Sequence, residues 1–110
     1  MANVNALLAV MADPTRQTLV DALRQGPLSV GELAQQVPVS RSAVSQHLHV
    51  LKEVHLVADE AVGTRRLYRL QADALGELRA YLDTLWGDAL AGYAGHVARQ
   101  PVAAKKRRTR

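Results

Sequence analysis

A chain of 110 residues, 48% hydrophobic and 22% charged, is long enough for one domain with a modest core and too apolar to be disordered throughout. Without cysteine it has no disulfide framework, thiolate metal site or thiol redox switch, and with neither a long apolar run nor a signal-like start it is expected in the cytoplasm, away from membranes. The formal charge of +4 suits a polyanionic partner, although Lys105, Lys106, Arg107, Arg108 and Arg110 at the tail inflate it.

The first predicted element, Asn5 to Ala12, is a short helix, apolar around most of its circumference through Leu7, Leu8, Val10 and Met11, and it needs cover from other elements. Asp13 followed by Pro14 reads as an N-cap and first helical position, because proline has no N–H to lose there. The second helix turns Leu19, Val20 and Leu23 inward and carries Arg16 and Arg24 among its polar positions. Gly26 and Pro27 stop it, the glycine as a left-handed cap and the proline by forbidding continuation.

Ser29 and Glu32 have the spacing of a capping box, so a third helix is predicted from about Val30 to Val37, closed by Pro38. Only Pro38 to Ser40 separates it from the next helix, the turn length of a helix-turn-helix, with Leu33 and Val37 facing Val44 and Leu48. Ser40 can cap that fourth helix, and Val44, Leu48 and Leu51 then recur as one apolar stripe. Its other side carries Arg41, Ser42, Ser45, Gln46 and His49, hydrogen-bonding groups placed where a helix entering a major groove meets base edges and phosphates. An ordinary solvated face has the same composition, and His49 serves equally well facing DNA or water. His47 lies nearer the apolar side and is expected to be hydrogen-bonded within the domain.

Two strand-like runs follow, Leu56 to Glu60 and Arg65 to Leu70, around Val62, Gly63 and Thr64, and they read as a hairpin or wing with Gly63 in the turn. Arg66, Tyr68 and Leu70 share one face and Arg65, Leu67 and Arg69 the other, so the tip is basic whichever face is buried. Asp73 can cap a last long helix on which Leu75, Leu78, Leu82, Leu85 and Ala89 recur in steps of three and four, joined by Trp86, Leu90, Tyr93 and Val97. That face is too broad for one small domain to cover. Together with Leu7, Leu8 and Met11 of the first helix, the residues Leu78, Leu82, Leu85, Trp86 and Ala89 are expected to form a homodimer interface, so that two reading heads address two half-sites of one duplex. Residues 1–99 then make one DNA-binding and dimerisation domain. Residues 100–110 make a basic disordered tail, serving diffuse phosphate contact or solubility alike.

The predicted fold class is therefore mainly α with a small β-hairpin, a winged helix-turn-helix. There is no Gly-rich phosphate cradle, no nucleophile paired with a histidine in a recognisable setting and no carboxylate cluster, so an enzyme is not expected. The alternative is a winged helix used for protein or RNA contact, since a fold does not fix its partner. A protein-binding version should expose apolar residues where this chain puts Arg41 to Gln46.

The order helix-helix-helix-turn-helix-wing-helix resembles the ArsR/SmtB family of winged-helix repressors. LAVMADPTRQTLVDAL at Leu8 to Leu23 is similar to the family's opening, SRSAVSQHLHVLKEVHLV at Ser40 to Val57 to its recognition helix and following strand, and GTRRLYRL at Gly63 to Leu70 to its wing. The resemblance covers roughly Leu7 to Tyr93 and implies a homodimeric bacterial repressor of its own operon, released from a palindromic operator by an inducer. It places DNA contacts at Arg41, Ser42, Ser45 and Gln46, with Arg65 and Arg66 reaching the minor groove or backbone. Many relatives carry two cysteines, one residue apart, in the third helix, where Ser29 and Gly31 stand here. A second family site uses Asp and His at the start of the last helix with two further ligands three turns on, where Ala72, Ala74, Leu85 and Asp88 stand. No metal and no cofactor are therefore expected, and the residues name no inducer.

Overall fold

The computed structural model describes residues 3–99, with side chains as far as His96; Val97 as a packing residue and the tail 100–110 lie outside what it describes. Its elements are α1 (Val4–Met11), α2 (Pro14–Ala22) running into a 3-10 turn (Leu23–Gln25), β1 (Leu28–Ser29), α3 (Val30–Ala34), α4 (Arg41–Glu53), β2 (Val57–Val62), β3 (Arg65–Leu70) and α5 (Ala72–Arg99). The chain divides into two compact units at Leu78/Arg79. In the first, Ala74, Leu75 and Leu78 of α5 join the core; in the second, Arg79 to His96 present an almost entirely exposed helix.

Helix starts follow short-range chemistry. Asp13 accepts from the Arg16 N–H at 3.0 Å with Pro14 in the first turn, and Ser40 Oγ accepts from the Ala43 N–H at 3.1 Å. Ser29 and Glu32 form the reciprocal capping box, Ser29 N–H donating to Glu32 Oε1 at 2.9 Å and Glu32 N–H to Ser29 Oγ at 3.2 Å. These bonds satisfy N–H groups that have no partner inside the helix. Asp73 is a correction: it lies inside the first turn of α5, which begins one residue earlier, and acts there on the helix dipole rather than as the cap.

Helix ends depart further from expectation. α3 stops at Ala34 rather than Val37, because the Gln35 and Gln36 N–H groups bond back only three residues, to Glu32 and Leu33, and Val37 precedes a proline that disfavours helical backbone. The connection to α4 is correspondingly longer than the three residues expected. Gly26 adopts φ 144°, ψ 179°, an extended conformation open only to glycine, rather than the left-handed helical cap. α4 ends in a Schellman motif, with His55 N–H bonded to Lys52 O at 2.9 Å and Leu56 N–H to Leu51 O at 3.0 Å. The left-handed position is filled by His55, at φ 64°, where glycine would carry no Cβ penalty.

The sheet has the order β1-β3-β2, all antiparallel. The hairpin pairs Val57 with Leu70 through Val62 with Arg65, leaving Gly63 and Thr64 as a two-residue loop with Gly63 at φ 65°. The two-residue β1, not foreseen from the sequence, pairs Leu28 with Tyr68 and Ser29 with Leu67. It ties the start of α3 to the wing.

The core gathers Leu7, Leu19, Leu33, Val44, Leu48, Leu51 and Leu56, all fully buried. Burial of a leucine contributes about 1.5–3 kcal/mol, so the Val44, Leu48 and Leu51 stripe alone fixes which side of α4 faces inward. Leu7 is a second correction. At 0% exposure inside its own subunit it has no surface to offer a partner, whereas Leu8 is 38% exposed.

α1 ends without a glycine, and side chains from α2 take its last carbonyls. Arg16 Nε donates to Val10 O at 2.9 Å and Gln17 Nε2 to Met11 O at 2.6 Å. Arg16 Nη1 also lies 3.3 Å from His47 Nδ1; a guanidinium has only donors, so Nδ1 accepts and the ring proton sits on Nε2. Arg16 is thus a half-buried bridge between α1 and α4 rather than a solvated position.

Two predictions follow from these ends. His55→Gly should raise the free energy of unfolding by about 0.5–1 kcal/mol, relief of the left-handed strain outweighing the added chain entropy; a urea midpoint that stays or falls would show that the Cβ is not strained. Arg16→Ala should cost about 1.5–3 kcal/mol by leaving Val10 O and His47 Nδ1 without a charged donor. A loss below about 0.5 kcal/mol, the size of an ordinary surface substitution, would mean the bridge is energetically idle.

Candidate nucleic-acid interface

With Val44, Leu48 and Leu51 buried, the opposite side of α4 is left to Arg41, Ser42, Ser45, Gln46 and His49, and all five are exposed. They occur at spacings of one, three and four, which makes them a continuous stripe along the first two turns. No exposed large apolar side chain interrupts it. His47, by contrast, is half-buried and tied to Arg16.

Arg41 lies against the first turn of α3. A Cβ added to Gly31 would sit 3.3 Å from Arg41 Nη2, so glycine leaves the room that the guanidinium occupies. Ser29 and Gly31, standing where the family resemblance would put thiolates, thus serve the helix cap and the placement of Arg41. Among the described residues no group of three or more His, Cys, Asp or Glu is placed to hold a metal ion.

On the wing, Arg65 and Arg66 are exposed but each is in an ion pair. Arg65 Nη2 meets Glu32 Oε1 at 2.7 Å, and Arg66 Nη1 meets Asp59 Oδ2 at 2.9 Å. Asp59 Oδ1 is also 2.9 Å from Lys52 Nζ, at the end of α4. On the other face Arg69 Nη1 lies 3.4 Å from Glu60, and on α4 His49 Nε2 lies 3.2 Å from Glu53 Oε2. The carboxyl of Asp59 is held below its ordinary range first by the hydrogen bond from Lys52 and then by Arg66, against opposing desolvation. Glu32 is lowered chiefly by the Ser29 backbone N–H, with smaller contributions from the Ser29 hydroxyl and Arg65.

The acidic partners are what the sequence reading missed. Their signal was present: a two-residue loop at Gly63 and Thr64 puts Asp59 diagonal to Arg66 and Glu60 diagonal to Arg69, within reach of long side chains. The expected basic tip is therefore substantially charge-compensated.

The residues assigned to a subunit interface fall into several environments. Leu78 is half-buried against the core of the first unit and Met11 likewise. Within the second unit Leu82, Leu85, Trp86 and Ala89 are exposed, Trp86 to 68% and Leu85 to 51%. Among the described residues no helix is long and apolar enough to cross a membrane.

Residues 13–59, from the cap of α2 to the first three residues of β2, match the family described as bacterial regulatory protein, arsR family. The HTH-type transcriptional regulator Rv2034 of Mycobacterium tuberculosis is 56% identical over 84 residues, 76% of this chain and 78% of the relative. The transcriptional repressor SdpR of Bacillus subtilis is 29% identical over 72 residues, 66% of this chain and 80% of the relative. An ArsR-like transcriptional regulator from Rhodococcus sp. RHA1 superposes with a TM-score of 0.73 at 27% identity, over 84% of this chain and 87% of that one. The helix-turn-helix with its exposed polar stripe, the wing and these likenesses agree: the chain belongs to the ArsR family of winged helix-turn-helix proteins and is a DNA-binding transcriptional regulator, not an enzyme.

Proposed function

We propose that this regulator is an autoregulatory repressor acting in the cytoplasm, which binds a palindromic operator as a homodimer paired through α1 and α5. The observation that carries the reading is the polar stripe of Arg41, Ser42, Ser45, Gln46 and His49, exposed on α4 opposite a fully buried Val44, Leu48 and Leu51. A helix so anchored presents side chains that hydrogen-bond base edges, while Arg41, Arg65 and Arg66 supply phosphate contacts that are indifferent to sequence. In this division Ser42, Ser45 and Gln46 discriminate bases and His49 exchanges Glu53 for the duplex. Residues 1–99 form the DNA-binding and dimerisation domain, and the basic tail 100–110 adds diffuse attraction.

Dimerisation supplies the spacing. Leu82, Leu85, Trp86 and Ala89, with Leu8 and Met11, are the proposed interface; the large exposed apolar groups on α5 would otherwise remain in water. Two such reading heads address half-sites about one helical turn apart, roughly 34–36 Å, on one face of the duplex. The name of SdpR, a repressor, supports repression rather than activation. Footprinting of the purified protein on its own upstream DNA, with and without metals, chelator and cell extract, tests partner, half-site spacing and inducer together; protection of a single half-site, or of none, would sink the reading.

Gln46→Ala should relax preference at one position in each half-site by about 1–3 kcal/mol while leaving random-sequence affinity unchanged. Arg66→Ala should weaken operator binding and flatten its salt dependence without changing base preference, because it removes a phosphate contact. An equal loss on specific and random DNA for Gln46→Ala would remove that residue from the base-reading set. Leu82→Glu or Leu85→Glu should convert dimer to monomer and abolish operator binding, because each places an unpaired charge in an apolar interface. Both positions are about half exposed within the subunit, so folding should survive, and a variant that remains dimeric by light scattering would refute the interface.

A further inference from the structure

Cations at the edge of the reading surface are not offered freely to DNA. Lys52 and Arg66 share Asp59, each at 2.9 Å on a separate carboxylate oxygen, and Arg65 is held by Glu32 at 2.7 Å. Among the described residues Arg41 makes no ion pair, so the compensation is confined to the wing and the end of α4. The Asp59 side chain is only 12% exposed and bridges two elements, α4 and β3, from its place on β2. Glu32 does the same between α3 and β3.

For Glu32 and Arg65, whose side chains are 48% and 53% exposed, folding stability is a poor reason for the pair, because exposed ion pairs contribute about 0–1 kcal/mol. Their effect on an approaching polyanion is larger. A carboxylate 2.7–2.9 Å from a cation cancels most of its field at the separations, about 8 Å at physiological salt, over which unscreened charges act. A duplex arriving in the wrong register therefore meets a nearly neutral wing, with carboxylates that repel its phosphates. Only a duplex seated by α4 brings phosphate oxygens close enough to exchange with Asp59 and Glu32.

We propose that Asp59 and Glu32 are specificity-determining residues of this surface: they hold Lys52, Arg66 and Arg65 back from misregistered phosphates and surrender them to a correctly docked duplex. The inference rests on the DNA-binding role given above to Arg65 and Arg66. These carboxylates touch no base; they act through the cations they hold. Their pKa values, lowered by those cations and, for Glu32, above all by the Ser29 N–H, keep them ionised throughout the neutral range.

Two substitutions remove the charge while keeping the shape. Glu32→Gln preserves the capping box, in which glutamine serves as well as glutamate, and Asp59→Asn preserves an oxygen acceptor. Affinity of the full chain is measured by fluorescence anisotropy over a range of salt, for its own upstream DNA and for a random duplex of equal length, with circular dichroism confirming the fold. Random-duplex binding should tighten several-fold. Its log–log salt slope should steepen by about 0.9 in each variant, since each substitution removes one negative charge and so adds one uncompensated cation. The ratio of specific to random affinity should fall in both. An unchanged slope and ratio in both variants, with the parent protein binding duplex normally, would overturn the inference. So would an equal loss on both DNAs at constant slope, which would make the carboxylates struts of the wing. Failure of the parent protein to bind any duplex at low ionic strength would instead sink the DNA reading itself, and this inference with it.

Discussion

Burial of Val44, Leu48 and Leu51 in one core with Leu7, Leu19, Leu33 and Leu56 sets the rotation of α4 about its own axis, and the polar stripe proposed to meet DNA takes its position from that rotation. Turning the helix by one residue toward its polar side would expose Val44, Leu48 and Leu51 and bury Ser45, His49 and Lys52, exchanging several kcal/mol of apolar burial for unpaired polar groups. The polar stripe is therefore not held by its own contacts. It is what remains outside when the apolar stripe has been satisfied, which leaves Ser42, Ser45 and Gln46 free to be chosen for what they hydrogen-bond. Arg16 adds a second restraint by gripping Val10 O and His47 together, so α1 and the reading helix are positioned by one side chain.

Charge at the wing obeys a different logic from charge in the sequence. Three arginines in the Arg65 to Arg69 run look like a strongly basic tip, but antiparallel pairing brings Asp59 and Glu60 beside two of them and the cap of α3 brings Glu32 beside the third. A composition-based estimate of phosphate affinity would count all of these cations. Among the described residues, the folded surface presents Arg41 without an ion pair and the wing arginines each beside a carboxylate, the arrangement on which the proposed discrimination between docking geometries rests.

What was legible in the sequence was local. Asp13 with Pro14, Ser29 with Glu32, Ser40, and the Gly63 turn are each decided by neighbours a few residues away, and each stands where its chemistry requires. Illegible features depend on distant partners. β1 is two residues long and exists because Tyr68 and Leu67 lie alongside it; Leu28 and Ser29 carry no period that could announce a strand. Leu7 was grouped with Leu8 as intersubunit surface because an all-round apolar helix does not declare which residue the rest of its own subunit covers. His55 hides a Schellman cap because the usual glycine is absent. The exposed stripe of the site was readable from the period of α4 alone, whereas Asp59, seven positions from the Arg66 it holds, and Lys52, which shares it, needed the hairpin register.

The first turn of α3 is where these constraints converge. Ser29 pairs with Leu67 of the wing and caps the helix, Gly31 gives Arg41 of the reading helix its space, and Glu32 closes the cap while holding Arg65. A shift of that turn relative to β3 would move an arginine on α4 and an arginine on the wing at once. The start of this helix is thus mechanically coupled to both halves of the proposed DNA-facing surface through backbone pairing, close packing and one shared carboxylate. A bulkier residue at 31 would act on Arg41, and glutamine at 32, which keeps the cap, on Arg65, so the two couplings are separable even though they arise within four residues of chain.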